Sequence, residues 1–183
     1  RQNINISFIH YIKERESTMI ITKGLIYQAK NNPERLAILD EGHSYTYGEL
    51  ARRTAKLKMA LKGLDVKKGD KVGILLLNTF RYVELFYAIT AIGAIAVPLN
   101  TRLERKELEY IVSDSEIKSL FCHPEYLKYV PYLEKVAKDD LKTIFVADKN
   151  EESEYVHYEE LIENENVTEL TYDDFSEDDI ACI

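Results

Sequence analysis

From Met19 onward, apolar and polar residues alternate in two rhythms, one of helical period and one of short apolar runs. Ile20–Lys30 has the helical period and stops at Asn31-Asn32-Pro33, where proline cannot continue a helix. Leu36–Leu39 and Ser44–Tyr45 flank Asp40-Glu41-Gly42-His43, a hairpin pattern with glycine at the tight turn. Thr46 and Glu49 stand at capping-box spacing, so the threonine hydroxyl and the glutamate carboxylate can each satisfy a free amide at a helix start. The predicted helix carries Leu50, Thr54, Leu57 and Leu61 on one face, and Gly63 is expected to close it with a positive φ.

Beyond the turn Val66–Asp70, Val72–Leu77 has the length and uniform apolarity of a strand buried on both faces. The pattern then predicts a helix over Phe80–Ile92, a strand over Ala94–Val97 ended by Pro98, a helix over Glu104–Ser113 and a strand over Ile117–Cys122. A helix over Glu125–Lys138, a strand over Thr143–Val146 and a short helix near Tyr158–Asn164 follow. Ile180–Ile183 reads as the opening of a further strand. Strands alternating with helices imply an α/β fold, a mostly parallel sheet with helices on both faces. The end on an apolar half-strand reads as a truncation, and Arg1–Thr18, which has no clear period, reads as an extension upstream of a natural start at Met19.

Charge changes the picture at one place. The net charge of −8 argues against a general nucleic-acid binder, which needs clustered Lys and Arg. From residue 150 to 180 there are 13 acidic residues and no basic one, leaving 24 basic against 19 acidic elsewhere. That segment is expected to be a solvated face or a connection, with a docking surface for a basic partner as the alternative. Cys122 and Cys182 are too few for a disulfide framework, and His10, His43, His123 and His157 lack metal-ligand spacing. No signal peptide or spanning segment stands out, and a reducing cytoplasm is the expected setting.

The usual catalytic constellations do not occur. The seven glycines form neither a phosphate loop nor a dinucleotide fingerprint, and there is no Gly-x-Ser-x-Gly elbow or His-Glu-x-x-His pair. The pairs Asp139-Asp140, Asp173-Asp174 and Asp178-Asp179 have no neighbour that would raise one member's pKa. No catalytic residue and no metal ligand is assigned. The Tyr126, Tyr129 and Tyr132 series reads as helix packing, and His123-Pro124 as a turn.

Three motifs in series carry a resemblance. Thr46-Tyr47-Gly48-Glu49-Leu50 resembles the T-Y-x-E-L of acyl-CoA synthetases and related adenylate-forming enzymes, and Gly69-Asp70-Lys71-Val72-Gly73-Ile74 resembles their G-D-x-V-A-I. Ala91–Asn100 resembles their A-x-x-G-A-x-x-V-P-x-N. Asp178-Asp179-Ile180-Ala181-Cys182-Ile183 is similar to the lead-in to the loop that wraps the ATP phosphates in that family. The resemblance implies that residues 19–183 are the N-terminal part of an AMP-binding domain, cut before that loop, and that residues 1–18 lie outside it.

It further implies a parent enzyme that uses ATP, Mg2+ and coenzyme A to convert a carboxylic acid, a fatty acid first of all, into its CoA thioester through an acyl-adenylate. The 183 residues alone are then expected to be inactive, and a homodimer is the oligomer to look for. An aryl-acid CoA ligase, a peptide-synthetase adenylation domain and a non-catalytic α/β interaction module remain as alternatives. Asn100-Thr101-Arg102-Leu103 resembles the family's N-P-R-L, which makes Arg102 the one candidate ligand contact, to the coenzyme A phosphates. Thr101 stands where many members have proline.

Overall fold

The computed structural model describes residues 21–40, 42–137, 141–146, 155–163, 165–173, 176 and 178–183, and only the backbone of residue 145. Strands β1 (Leu36–Asp40) and β2 (His43–Thr46) form an antiparallel hairpin, and Gly42 takes φ 93° in its turn. The main sheet is parallel throughout: β3 (Lys71–Leu75), β4 (Ile95–Pro98), β5 (Ile117–Cys122), β6 (Lys142–Phe145) and β7 (Val156–His157). Its order is β4-β3-β5-β6-β7, so the chain steps outward from β3 to β4 and returns past β3 to β5. The helices are α1 (Ile21–Asn31), α2 (Tyr47–Gly63), α3 (Phe80–Ile92), α4 (Arg105–Ser115), α5 (Val130–Val136) and α6 (Tyr158–Glu163).

Period-two alternation sends Val72, Ile74 and Leu76 to one face of the sheet, where they pack with Leu57 and Leu61 of α2, Leu85 and Ile89 of α3, and Tyr158 and Ile162 of α6. Leu75 points the other way, into a second core with Leu108 and Val112 of α4 and Val130 and Leu133 of α5. Each such fully buried aliphatic side chain contributes about 1.5–3 kcal/mol relative to exposure. A third, smaller cluster joins Leu25 of α1, Leu50 and Ala55 of α2, Ala91 of α3 and Leu170. Helices thus cover both faces, as the pattern implies.

The Thr46 capping box forms as expected: Glu49 N–H donates to Thr46 Oγ1 at 3.3 Å, and Thr46 N–H donates to Glu49 Oε2 at 2.8 Å. At α3 the cap comes from elsewhere. Thr79 makes no side-chain cap bond, and the Phe80 N–H donates instead to Asp40 Oδ2 of the hairpin at 2.8 Å. Asp40→Ala should therefore cost about 1 kcal/mol in urea unfolding, the usual size for a lost cap. Thr79→Ala should be close to neutral; equal losses for the two would contradict this assignment.

Several expectations need correction. Gly63 is the last helical residue of α2 and not a left-handed closer; Asp65, at φ 66°, makes the turn. The single helix expected over Glu125–Lys138 is two pieces, a 3-10 turn over Pro124–Tyr129 followed by α5, because Pro131 supplies no amide and can sit only in a helix's first turn. The β3 strand ends at Leu75, and Leu77 is 39% exposed. Within the tyrosine series Tyr126 is buried, whereas Tyr132 is exposed and lies under the Arg105 guanidinium at 4.1 Å. Ile180–Ile183 makes one parallel bridge, Cys182 to Ala96, and no full strand. Residues 1–18 and Lys138-Asp139-Asp140 lie outside the described residues.

Candidate functional site

In an open parallel sheet, ligands collect outside the carboxyl ends of the strands, where neighbouring strands send their helices to opposite faces. Here that point lies between β3 and β5, since α3 leaves β3 toward the first core and the 3-10 turn and α5 leave β5 toward the second. Leu76, Leu77, Asn78 and Thr79 follow β3 at this edge, and His123 follows β5. The His123 N–H donates to the Leu75 carbonyl at 3.0 Å, and its Nδ1 accepts from Glu125 N–H at 3.3 Å, so its ring caps the 3-10 turn. A cleft of about 340 Å3 opens beside the edge, lined by Ile38, Leu39, Asp40, Asn78, Thr79 and Phe80 among others.

Arg102 lies at the same edge but past β4, one strand removed from the β3–β5 switch point. The Leu99 N–H donates to the Ile74 carbonyl at 2.9 Å, which anchors the loop to β3. Asn100 then shapes the turn, its Oδ1 accepting from Arg102 N–H at 3.0 Å and its carbonyl from Leu103 N–H at 3.0 Å. Leu103 packs into the second core, while the Arg102 side chain is exposed. The turn therefore presents a guanidinium to solvent at the carboxyl edge even with Thr101 where the family often has proline.

Sequence reasoning missed a buried charged network that joins α2, α3 and α6. Glu84 is fully buried in α3, where Arg53 of α2 clasps it through Nε and, at 3.1 Å, through Nη2. The Tyr158 hydroxyl donates to Glu84 Oε2 at 2.7 Å, and Glu159 bridges Arg53 at 3.1 Å and Arg81 at 3.0 Å. Burial pushes the Glu84 carboxyl up, while the bonds from Arg53 and Tyr158 pull it down. Burial, then Glu84, push the Tyr158 hydroxyl well above its ordinary range, which keeps it a donor. Arg53 also lies over the Tyr45 ring at 5.2 Å, so the network ties the hairpin, α2, α3 and α6 together. The signal was present in the sequence: Arg81 and Glu84 are the only charged residues in Phe80–Ile92.

The acidic segment is not simply solvated. Asp173 holds Lys58 at 2.7 Å and Lys62 at 2.8 Å, Asp179 holds Lys68 at 2.7 Å, and Glu159 joins the network above. Burial works against the Asp173 charge, but the two ammonium groups outweigh it and hold the carboxyl below its usual range. A depressed carboxyl pKa stabilises the fold above the unfolded value and ceases to do so as pH falls through the folded one. Below about pH 4, an Asp173→Asn variant should thus lose less stability than the parent in a pH series of urea midpoints. Parallel pH profiles would contradict that role.

Other groups are excluded from chemistry. Burial pushes the Cys122 thiol up to about 12, so it is an inert core group. Among the described residues no three His, Cys, Asp or Glu side chains cluster as a metal site needs, and no helix is long and apolar enough to cross a membrane.

The family model described as AMP-binding enzyme matches residues 25–183. The chain belongs to the AMP-binding enzyme family. Members similar to it include a long-chain-fatty-acid–CoA ligase of Thermus thermophilus, 35% identical over 128 residues, 68% of this chain and 23% of that enzyme. A feruloyl-CoA synthase of an Amycolatopsis species is 36% identical over 108 residues, 59% of this chain and 22% of that enzyme. A crystal structure of an anthranilate CoA ligase with anthranoyl-AMP shares the fold, with a TM-score of 0.81 over 90% of this chain and 31% of the other, at 24% identity. The chain spans about a quarter of the length of the curated relatives it matches. The expected α/β class and the expected family are both borne out.

Proposed function

We propose that residues 19–183 are the N-terminal part of the AMP-binding domain of an acyl-CoA synthetase. Such an enzyme joins a carboxylate oxygen to the α-phosphorus of ATP with loss of pyrophosphate, and the coenzyme A thiolate then takes the acyl carbon as AMP leaves. The observation that carries this reading is the family match over residues 25–183, together with relatives whose names all describe acid–CoA or related acid ligases. A fatty acid is the first substrate to test, on the strength of the Thermus relative. An aryl acid is the second, because a feruloyl-CoA synthase and a 2-succinylbenzoate–CoA ligase of Bacillus cytotoxicus are 36% and 37% identical over their matched parts.

This chain's own contribution would be scaffold and one phosphate contact. The chain spans about a quarter of the length of the curated relatives it matches, and the 183 residues are expected to be inactive alone. Arg102 fits the phosphates of coenzyme A: a guanidinium is a fixed, always-charged donor, and the Asn100 turn holds it exposed at the carboxyl edge. In the full-length enzyme, Arg102→Ala should raise the KM for coenzyme A about tenfold, the loss of one charge-assisted contact, while acid-dependent ATP–pyrophosphate exchange stays unchanged. Unaltered thioester formation would refute the contact. Running the exchange with fatty and aryl acids in parallel decides between the two substrate classes.

A further inference from the structure

We infer that the cleft between α1, α2 and residues 168–170 binds a single-headed anionic amphiphile, a medium-chain carboxylate, with its tail on the apolar floor and its headgroup met by Lys30 and Arg52. The cleft holds about 590 Å3, within the range of small-ligand sites. It shares no lining residue with the cleft at the carboxyl edge, so it stands apart from the chemistry proposed above.

The walls are fixed by bonds that need no ligand. At one end the Gly48 N–H of α2 donates to the Pro33 carbonyl at 2.9 Å, and the Tyr47 N–H donates to the Arg35 carbonyl at 2.9 Å. These bonds lay the α1–β1 connection against the first turn of α2. Glycine permits that approach, since a Cβ at Gly48 would meet the Pro33 oxygen at 3.2 Å. On the other side Leu170 is buried in the third cluster. Just beyond it Lys58 Nζ donates to the Thr171 carbonyl at 3.0 Å, and Lys23 Nζ stands 5.7 Å from the Tyr172 ring centroid. The floor is apolar, made by Ile26 and Ala29 of α1, Ala51 of α2 and Leu170.

The rim carries charge that the fold does not use. Lys30 and Arg52 are exposed, and neither side chain makes a hydrogen bond or ion pair among the described residues. Glu49, one turn before Arg52, has its carboxylate on the Thr46 N–H. Glu169 is the one acidic residue of the lining, against two cations, so the rim favours an anion. The first turn of α2 adds the positive end of a helix dipole. At the end of α1 the Tyr27 carbonyl is taken by Asn31 Nδ2 and the Gln28 carbonyl by the Asn32 N–H, which lessens their repulsion of an anion. Two uncommitted cations above an apolar floor suit one negative headgroup with a hydrocarbon tail. A compact polyanion would leave the floor in water, and a neutral lipid would leave the cations unused.

Titration of sodium decanoate into the isotope-labelled 183-residue chain, followed by amide chemical shifts, tests the site. Saturable shifts are expected at Ala29, Ala51 and Leu170. Lys30→Met and Arg52→Met, both at exposed positions, should each weaken binding about threefold, and the two together about tenfold. Glu169→Gln removes the competing charge and should tighten binding about twofold. Decanol has the same tail without the charge and should bind about tenfold more weakly than decanoate. Equal affinity for decanol and decanoate would overturn the site, as would unchanged binding by the Lys30→Met/Arg52→Met double variant. Shifts that never saturate, or that saturate only at Asn78 and Thr79 of the carboxyl edge, would overturn it as well.

Discussion

Glu84→Leu should lower the unfolding free energy by about 3–5 kcal/mol, a large share of what a domain of this size has. The substitution removes a carboxylate that receives two bonds from Arg53 and one from Tyr158, and leaves the mostly buried Arg53 with Glu159 as its ion-pair partner among the described residues. Arg53→Met should cost a similar amount for the converse reason, since a fully buried carboxylate loses its counter-charge. The double variant should recover much of the loss, because two apolar side chains replace two desolvated charges. Recovery is limited by the Tyr158 hydroxyl, which then has no acceptor at full burial, so adding Tyr158→Phe should bring the triple variant nearer the parent. Urea unfolding of the singles, the double and the triple measures this as a cycle. Single losses within about 1 kcal/mol of the parent, or a double loss equal to the sum, would show that the network is not coupled.

Gly73→Val is expected to have the second largest effect, about 1–3 kcal/mol or more. Gly73 lies in the middle of β3 with its α-carbon facing the second core. A Cβ there would meet Leu120 Cδ1 at 3.0 Å and Ile117 Cδ1 and Cγ2 at 3.2 Å, and valine adds two further methyl groups to the same space. Val72 and Ile74, its neighbours on the other face, show that the strand tolerates branched side chains where room exists. Gly24→Ala is the control: its Cβ meets nothing within 4 Å in α1, so it should raise stability by about 0.5–1 kcal/mol. Opposite signs for the two glycines would confirm that local space, not glycine as such, decides the outcome.

The fold was legible because the elements that build it are the strongly patterned ones. The helix over Phe80–Ile92 and the strand over Ile117–Cys122 match the structure to the residue, since Gly93 ends the first and the apolar run Leu120-Phe121-Cys122 before His123-Pro124 marks the end of the second. Errors arose where a local device competed with periodicity. Pro131 cut an otherwise helical stretch at its missing amide, and Asp65 took the left-handed turn that glycine was expected to take. The pairing of Glu159 and Asp173 within the acidic segment was not legible because their partners, Arg53, Lys58 and Lys62, lie more than 100 residues away, where spacing rules do not reach. Their sequence mark is visible afterwards: Lys58 follows Leu57 on the buried side of α2, a cation where an apolar face should be.

The candidate site was less legible for a related reason. Arg102 stood out only through resemblance, and the structure adds the Asn100 turn that presents it to solvent. The switch point between β3 and β5 follows from strand order, which no linear pattern reveals.

Acid-dependent ATP–pyrophosphate exchange by the full product of the gene that encodes these residues tests the central claim most directly. The account predicts exchange that requires a carboxylic acid and ATP, AMP release once coenzyme A is added, and neither reaction from the 183-residue chain by itself. A full-length product that shows no exchange with fatty or aryl acids, while retaining the fold described above, would contradict it.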